Sequence, residues 1–288
     1  MDIVRIYELF PTENDCISHL ESVRWKDKPR CPYCKSTNST PLRQEQRHHC
    51  NTCNTSFSVT IGTIFHHTHL PLQKWFLAIC LILNAKKGIS SRQLSRDLKI
   101  NKDTAWRIGM RIRRAMSERE QRNLLTGIVE VDETYVGGKP RRGDPDKSPR
   151  GRGTKKTPVV GMIERHGNVK AKVVKHDGLK SKKLTSLIRS NVDITNTTLI
   201  TDEFKGYVGI SKIMPHKVIN HDVWYVDGDI HVNNMESFWA ILKRGIVGQF
   251  HKVSLKYLPN YLDEFTYRFS HRKHDDLFGL TIKRALEV

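Results

Sequence analysis

Four of the six cysteines fall into two pairs, Cys31-Pro32-Tyr33-Cys34 and Cys50-Asn51-Thr52-Cys53, separated by fifteen residues. Nothing else in the chain constrains its folding so tightly. Two Cys-x-x-Cys knuckles at this spacing fit a ribbon in which each knuckle supplies two thiolates to one tetrahedral Zn²⁺. Soft thiolates also bind iron, but knuckles joined by a short Arg/Gln/Thr-rich hairpin suit structural zinc better. Two disulfides are the competing chemistry. The start Met1-Asp2-Ile3-Val4-Arg5 has no charged leader followed by an apolar stretch, and Cys16 and Cys80 read as unpaired core residues, so the disulfide reading is set aside. His48 and His49 abut Cys50 and could serve as ligands, but four thiolates close the site without them.

The 288 residues allow two or three domains, and 49 Lys and Arg against 30 Asp and Glu leave a net charge of +19. Such an excess favours polyanionic partners, nucleic acid first and acidic membrane surfaces second. The longest uninterrupted apolar run, Trp75 to Leu83, is nine residues, whereas a membrane-spanning helix needs about 20. No integral membrane segment is expected.

Residues 1–30 are expected to hold a short helix from near Thr12, with Asp15 in its first turn and Ile17, Leu20 and Val23 along one side. The ribbon occupies residues 31–60. From Pro71 an apolar helix runs to about Lys86, ended by Gly88. Ser91–Leu98 reads as a second helix, and the turn Lys99-Ile100-Asn101 leads into a third, Lys102 to about Met116. This pattern matches a helix-turn-helix that presents Lys102, Thr104, Arg107 and Arg111 to a major groove while Ala105, Ile108 and Ile112 pack inward. It also fits a three-helix bundle that never touches DNA, an alternative that the net charge disfavours.

From Gly127 the texture becomes α/β. Strands are expected at Ile128–Val136, Pro158–Glu164, Val169–Lys175 and Thr197–Thr201, with a helix at Ser181–Ser190 and further helices after Asn233 and Ser254. Three successive strands followed by alternation point to a mixed sheet with helices packed on it. Gly137–Pro158 carries eight basic and two acidic residues. It reads as an arm meeting phosphates through Arg141, Arg142, Arg150 and Arg152, or as a solvated loop.

Three carboxylates stand out by position. Asp132 lies on the first of these strands, Asp202 closes a later one, and Glu236 sits in the first turn of a helix. Placed so, they can converge at one sheet edge. Crowded carboxylates repel one another and hold protons unless cations neutralise them. Hard oxygen ligands suit Mg²⁺ or Mn²⁺, and two such ions about 3.5–4 Å apart serve phosphoryl transfer. Lys243 follows Glu236 by seven residues, nearly two turns, so the two share a helix face. Blander roles exist: Asp202 could cap a helix after its strand, and Asn233 with Glu236 has the spacing of a capping box. Glu130 shares the strand face of Asp132 and Glu133 is its neighbour, so ligand assignment can slip along this strand.

An ordered series of motifs runs through nearly the whole chain. It includes Phe10-Pro11-Thr12-Glu13, Leu20 to Trp25, Phe57 to Thr63, and Val131-Asp132-Glu133-Thr134-Tyr135-Val136-Gly137-Gly138-Lys139. His231-Val232-Asn233, Glu236-Ser237-Phe238-Trp239, Leu242-Lys243-Arg244-Gly245, Gly248-Gln249-Phe250-His251 and Tyr261 to Phe265 complete it. Together they resemble the DDE transposases of bacterial insertion sequences, in the zinc-ribbon branch with an ISXO-type integrase domain, which is related to Merlin elements. One departure is Ser270 in Phe269-Ser270-His271-Arg272, where relatives usually carry Asn.

The resemblance implies an RNase H-like domain in which Asp132, Asp202 and Glu236 hold two divalent ions, with Asp132 between both. It implies cleavage at the element end by water and attack of the freed 3′-hydroxyl on target DNA, with no protein-linked intermediate. Lys243 would position DNA, and His231 and Asn233 would line the site. Relatives vary between Glu and Asn at the third ligand, so Asn233 stays a rival to Glu236. The implied partners are the terminal inverted repeats and target DNA, bound by a homodimer or higher oligomer. The location would be the bacterial cytoplasm at the nucleoid, or the nucleus for a eukaryotic relative.

The expected organisation is a helix and zinc ribbon over residues 1–65, a helix-turn-helix-like region over 66–122, and an RNase H-like domain over 123–288 with a basic loop at 137–158. Two alternatives remain. A non-catalytic DNA-binding regulator derived from a transposase has no use for the retained Asp132, Asp202, Glu236 and Lys243. A metal-dependent, structure-selective nuclease would cut without joining.

Overall fold

The computed structural model describes residues 1–26, 28–117, 124–137, 155–219 and 231–287. Arg141, Arg142, Arg150 and Arg152 of the basic arm lie outside them. The chain forms two compact units, Met1–Ser117 with His274–Val288, and Glu118–Lys273.

In the first unit, α1 (Ile3–Leu9) and α2 (Glu13–Trp25) precede the ribbon. A capping box opens α2: the Thr12 hydroxyl accepts from the Asp15 N–H, and the Asp15 carboxylate accepts from the Thr12 N–H at 2.9 Å. Leu20 is buried as expected, together with Cys16, whereas Ile17 and Val23 are only half-buried. The ribbon is an antiparallel sheet of β1 (Ser39–Leu42), β2 (Arg47–Cys50) and β3 (Thr55–Phe57) in that order. Its small core is aromatic: Trp25 meets both His48 and Phe57 edge-on, and His48 stacks on Phe57.

The helix α3 (Leu72–Asn84) buries eight of its thirteen residues and forms the centre of the helical part. Against it pack α4 (Ser91–Leu98) and α5 (Lys102–Ala115). Lys99, in the left-handed region at φ 50°, turns the chain between them, and Asn101 caps α5 through the Asp103 N–H. Ala105, Ile108 and Ile112 face inward, as their spacing predicts.

Among the described residues, the second unit holds a five-stranded sheet with helices on it. It contains β4 (Leu125–Val136), β5 (Thr157–Glu164), β6 (Val169–Val173), β7 (Val192–Thr201) and β8 (His216–Val218), ordered β6-β5-β4-β7-β8. The first three strands pair antiparallel, whereas β7 runs parallel to both β4 and β8. This is the mixed sheet with helices packed on it that the sequence leads one to expect. On one face α6 (Ser181–Arg189) packs with Val129, Val131, Leu199 and Tyr207. On the other, α7 (Asn233–Gly245) and α8 (Leu258–Ser270) bury Met235, Phe238, Trp239 and Phe265 against Val136 and Val159. A π-helical turn, Ile246–Phe250, comes after α7.

The final helix, α9 (Leu277–Leu286), departs from the domain organisation read from sequence texture, which carried the α/β domain to residue 288. It belongs with the N-terminal unit and packs on α2, α3 and α5. Phe278 enters the cluster of Phe10 and Phe76, and the Ala285 carbonyl accepts from the Ile64 N–H at 3.1 Å.

Candidate active site

The four knuckle thiols converge, each sulfur within 4.8 Å of the others. Cys31 and Cys53 sulfurs are 3.7 Å apart, and those of Cys34 and Cys50 are 3.5 Å apart. A tetrahedron with Zn–S bonds of about 2.3 Å has edges of roughly 3.8 Å, so the donor set fits a zinc ion in both chemistry and spacing. The Cys53 and Thr52 amides at the Cys50 sulfur pull that thiol down to about 6, whereas at Cys34 the Ser36 amide is outweighed by burial and the other three thiols, which push it up to about 12. His48 is not part of this group. Its Nε2 pairs with Glu21 at 2.8 Å. Cys16 and Cys80 are buried and unpaired, as expected. Beside the knuckle a hollow of about 470 Å³ is lined by Arg24, Lys26, Lys28, Arg30 and Lys35 around Trp25.

In the second unit the parallel pairing of β4 and β7 ends at Val131 and Thr201. One residue beyond, Asp132 and Asp202 face each other across the opening at the carboxyl end of β7, where parallel sheets place their ligand sites. Glu133 joins them, and an oxygen of each of the three carboxylates lies within 4.8 Å of the others. Tyr207, fully buried, donates its hydroxyl to Glu133 Oε2 at 3.1 Å. Asp202 Oδ1 accepts from the Phe204 N–H at 3.1 Å, a local turn ahead of the helical turn Lys205–Tyr207, which has no side-chain cap. Burial, then the charges of Glu133 and Asp202, push the Asp132 carboxyl up to about 7, against opposing hydrogen bonds from the Glu133 N–H and the Trp239 indole. A hard divalent cation between these oxygens would relieve that repulsion. The donor set fits Mg²⁺ or Mn²⁺.

Glu236 lies in the first turn of α7 and is exposed, as is Lys243 in its last turn. The two share the outer stripe while Met235, Phe238, Trp239 and Leu242 are buried. Among the described residues, Glu236 is not in the group of mutually close carboxylates. Asn233 is exposed, and His231 Nδ1 lies 3.4 Å from Glu130 Oε1.

Sequence reasoning noticed Glu130 only as a possible rival ligand. In the structure it is fully buried and anchors α7. Its Oε2 accepts from the N–H groups of Asn234 (3.0 Å) and Met235 (3.2 Å), and its Oε1 accepts from Asn234 Nδ2 (2.7 Å) and Arg165 Nε (2.9 Å). The capping-box spacing of Asn233 and Glu236 is not used, because no side chain at the N-cap closes this helix. A glutamate at an inward position of a central strand was the available signal, since such a charge is buried only with partners.

On α5, Lys102 and Arg107 are exposed and Thr104 is half-buried. Arg111 is exposed as well, and its Nη1 donates to the carbonyls of Ile64 (3.0 Å) and His66 (2.8 Å).

A zinc-ribbon protein with a cluster of carboxylates at the edge of a mixed sheet is the class that fold and site define. The chain belongs to the ISXO2-like transposase family: residues 124–270, more than half its length, match that domain, and residues 11–56 match the transposase zinc-ribbon domain. The match ends close to the boundary of the second unit and leaves α9 outside it. An uncharacterised protein in transposable element ISH50 of Halobacterium salinarum is 30% identical over 275 residues, covering 90% of this chain and 91% of its own length. Among solved structures, a pre-cleavage Mos1 transpososome aligns at TM-score 0.31 and 14% identity over 73% of this chain and 77% of that one. A Mos1 paired-end complex with left transposon end aligns at 0.30 and 13%, over 73% and 78%. Overlays this loose carry no weight. No helix among the described residues is long and apolar enough to cross a membrane.

Proposed function

We propose that the protein is an active DNA transposase, which binds the ends of its insertion sequence, cuts them and joins them to target DNA by in-line phosphoryl transfer. The observation that carries this reading is the convergence of Asp132, Glu133 and Asp202 beyond the paired ends of β4 and β7. Asp132 and Asp202, with Glu236 from α7, would hold two Mg²⁺ or Mn²⁺ ions. Such ions lower the energy of both the attacking and the leaving oxygen of a displacement at phosphorus. Asn233 is the alternative third ligand, though a charged carboxylate is the better match to a hard dication.

The protein's own groups then have defined tasks. Lys243, on the exposed stripe of Glu236, grips a phosphate of the strand being cut. His231 and Asn233, at the start of α7, border that strand. Water is the first nucleophile and releases a 3′-hydroxyl; that hydroxyl is the second nucleophile, on target DNA. Lys102, Thr104 and Arg107 present α5 to a groove of the element end, and Arg141, Arg142, Arg150 and Arg152 supply backbone phosphate contacts. The basic hollow at the ribbon is a further phosphate-binding surface, and the ribbon holds one structural Zn²⁺. Joining two ends calls for at least two protomers on DNA. The reaction belongs in the cytoplasm, at the nucleoid.

The test uses the DNA flanking the gene as substrate, with purified protein and Mg²⁺ or Mn²⁺. Nicks at the element ends that vanish with Asp202→Ala and with metal removed support the reading. Specific end binding with no nick in either metal contradicts it and leaves a DNA-binding regulator.

A further inference from the structure

Register across β4 and β5 sets Asp132 opposite Gly161. A Cβ at Gly161 would lie 2.5 Å from both Met235 Cε and Trp239 Cζ2, closer than atoms pack, so glycine is what lets the indole lie against the sheet at this point. Trp239 is 3% exposed, and its Nε1–H donates to Asp132 Oδ2 at 3.0 Å. The other oxygen, Oδ1, accepts from the Glu133 N–H at 2.8 Å.

An ionised carboxylate has about two acceptor positions on each oxygen. Here one position on each is filled, by donors from two different elements, and the carboxylate plane is thereby fixed. Among the described residues, one acceptor direction is left on each oxygen. A carboxylate held like this can offer each oxygen to a different cation without turning.

We propose that Trp239 is a positioning residue that orients Asp132 as the bridge between two divalent ions, with Gly161 keeping the indole in reach. The proposal rests on the metal-dependent reading above. Burial alone does not account for tryptophan here, because phenylalanine would fill the same core without a donor. A buried indole N–H needs an acceptor, and this one takes the site carboxylate.

The experiment titrates the full-length chain with Mn²⁺ alone, following free Mn²⁺ by electron paramagnetic resonance, for wild type, Asp132→Ala, Trp239→Phe and Gly161→Ala. Loss of an outer partner of a metal ligand weakens binding by about 10- to 100-fold. Trp239→Phe is expected to weaken Mn²⁺ binding at least tenfold while the thermal midpoint stays near that of wild type, and Gly161→Ala is expected to act in the same direction. Wild-type affinity in Trp239→Phe overturns the positioning role alone. A wild-type chain that binds no Mn²⁺ overturns the metal-dependent reading and this proposal with it.

A second measurement needs no substitution at Trp239. The five tryptophans give five indole N–H resonances in ¹⁵N spectra of the wild-type chain. One of them is expected to shift both on adding Mg²⁺ and in Asp132→Ala. Absence of a shared resonance overturns the proposal.

Discussion

The Glu130 carboxylate lies across the N-terminus of α7 and accepts from the backbone N–H of Asn234 at 3.0 Å, although 104 residues separate the two in sequence. Two positions further along the same strand face, Asp132 takes the indole N–H of Trp239 from the same helix. The helix that carries Glu236 and Lys243 is therefore fastened to β4 at two points. A negative charge at a helix N-terminus is favourable in itself, since it meets both unpaired amides and the positive end of the helix dipole.

Glu130→Ala is expected to destabilise the second unit by about 3–5 kcal/mol, because it strands Arg165 and two helix amides among buried groups. Glu130→Gln keeps an acceptor for those amides and should cost less. Urea unfolding followed by far-ultraviolet circular dichroism measures both. A loss under about 1 kcal/mol in Glu130→Ala, the net worth of one ordinary hydrogen bond, would show that the helix is held elsewhere.

Asp132 sets a pH dependence. Its carboxyl is raised to about 7 in the fold, against about 3.9 in an unfolded chain, so the native state holds this proton more tightly. The stability due to that proton is complete below about 3.9 and is lost as pH climbs to about 7. Cations compete for the ionised form, so the rise in melting temperature on adding Mg²⁺ should grow between about pH 6 and pH 8. Differential scanning fluorimetry with Asp132→Asn as control checks this. A Mg²⁺ effect independent of pH would contradict it.

Much of this site is legible in the sequence. Asp132 and Asp202 declare themselves as acids at strand positions bounded by β-branched residues, and the knuckle spacing names its own chemistry. Glu130 does not, because alternation puts it on the face of Asp132 and cannot distinguish a ligand from a helix anchor; its role depends on Asn234, which only the packed fold brings near. The same limit hides α9. Its short apolar pattern is intelligible only once Phe10 and Phe76 are seen beside Phe278. Arg111 looks like its neighbour Arg107, since helical spacing gives a direction but not the carbonyls of a distant turn.

That contrast separates the two arginines by experiment. Arg107→Ala should weaken binding to element ends more than binding to random DNA. Arg111→Ala should instead lower stability, by about 1–3 kcal/mol for the loss of hydrogen bonds from a charged donor. Fluorescence anisotropy on both DNAs, with thermal melts of each variant, resolves them. Equal losses on both DNAs for Arg107→Ala would reduce α5 to a phosphate contact.

The ribbon predicts one zinc per chain. Chelation, or Cys34→Ser, should release it and expose the remaining knuckle thiols to a colorimetric thiol reagent. Protons compete with the metal for thiolates, so release should become easier as pH falls. Metal analysis by plasma mass spectrometry checks the stoichiometry; iron in place of zinc would overturn the assignment.

The central claim is that the acidic edge joins a 3′-hydroxyl to target DNA. The most direct measurement supplies pre-cleaved element ends, with and without a terminal 3′-hydroxyl, to the protein and a supercoiled plasmid in Mg²⁺. Joined product is expected only from ends bearing the hydroxyl, and none with Asp132→Ala. Cleaved but never joined DNA, or joining that survives Asp132→Ala, would contradict the account.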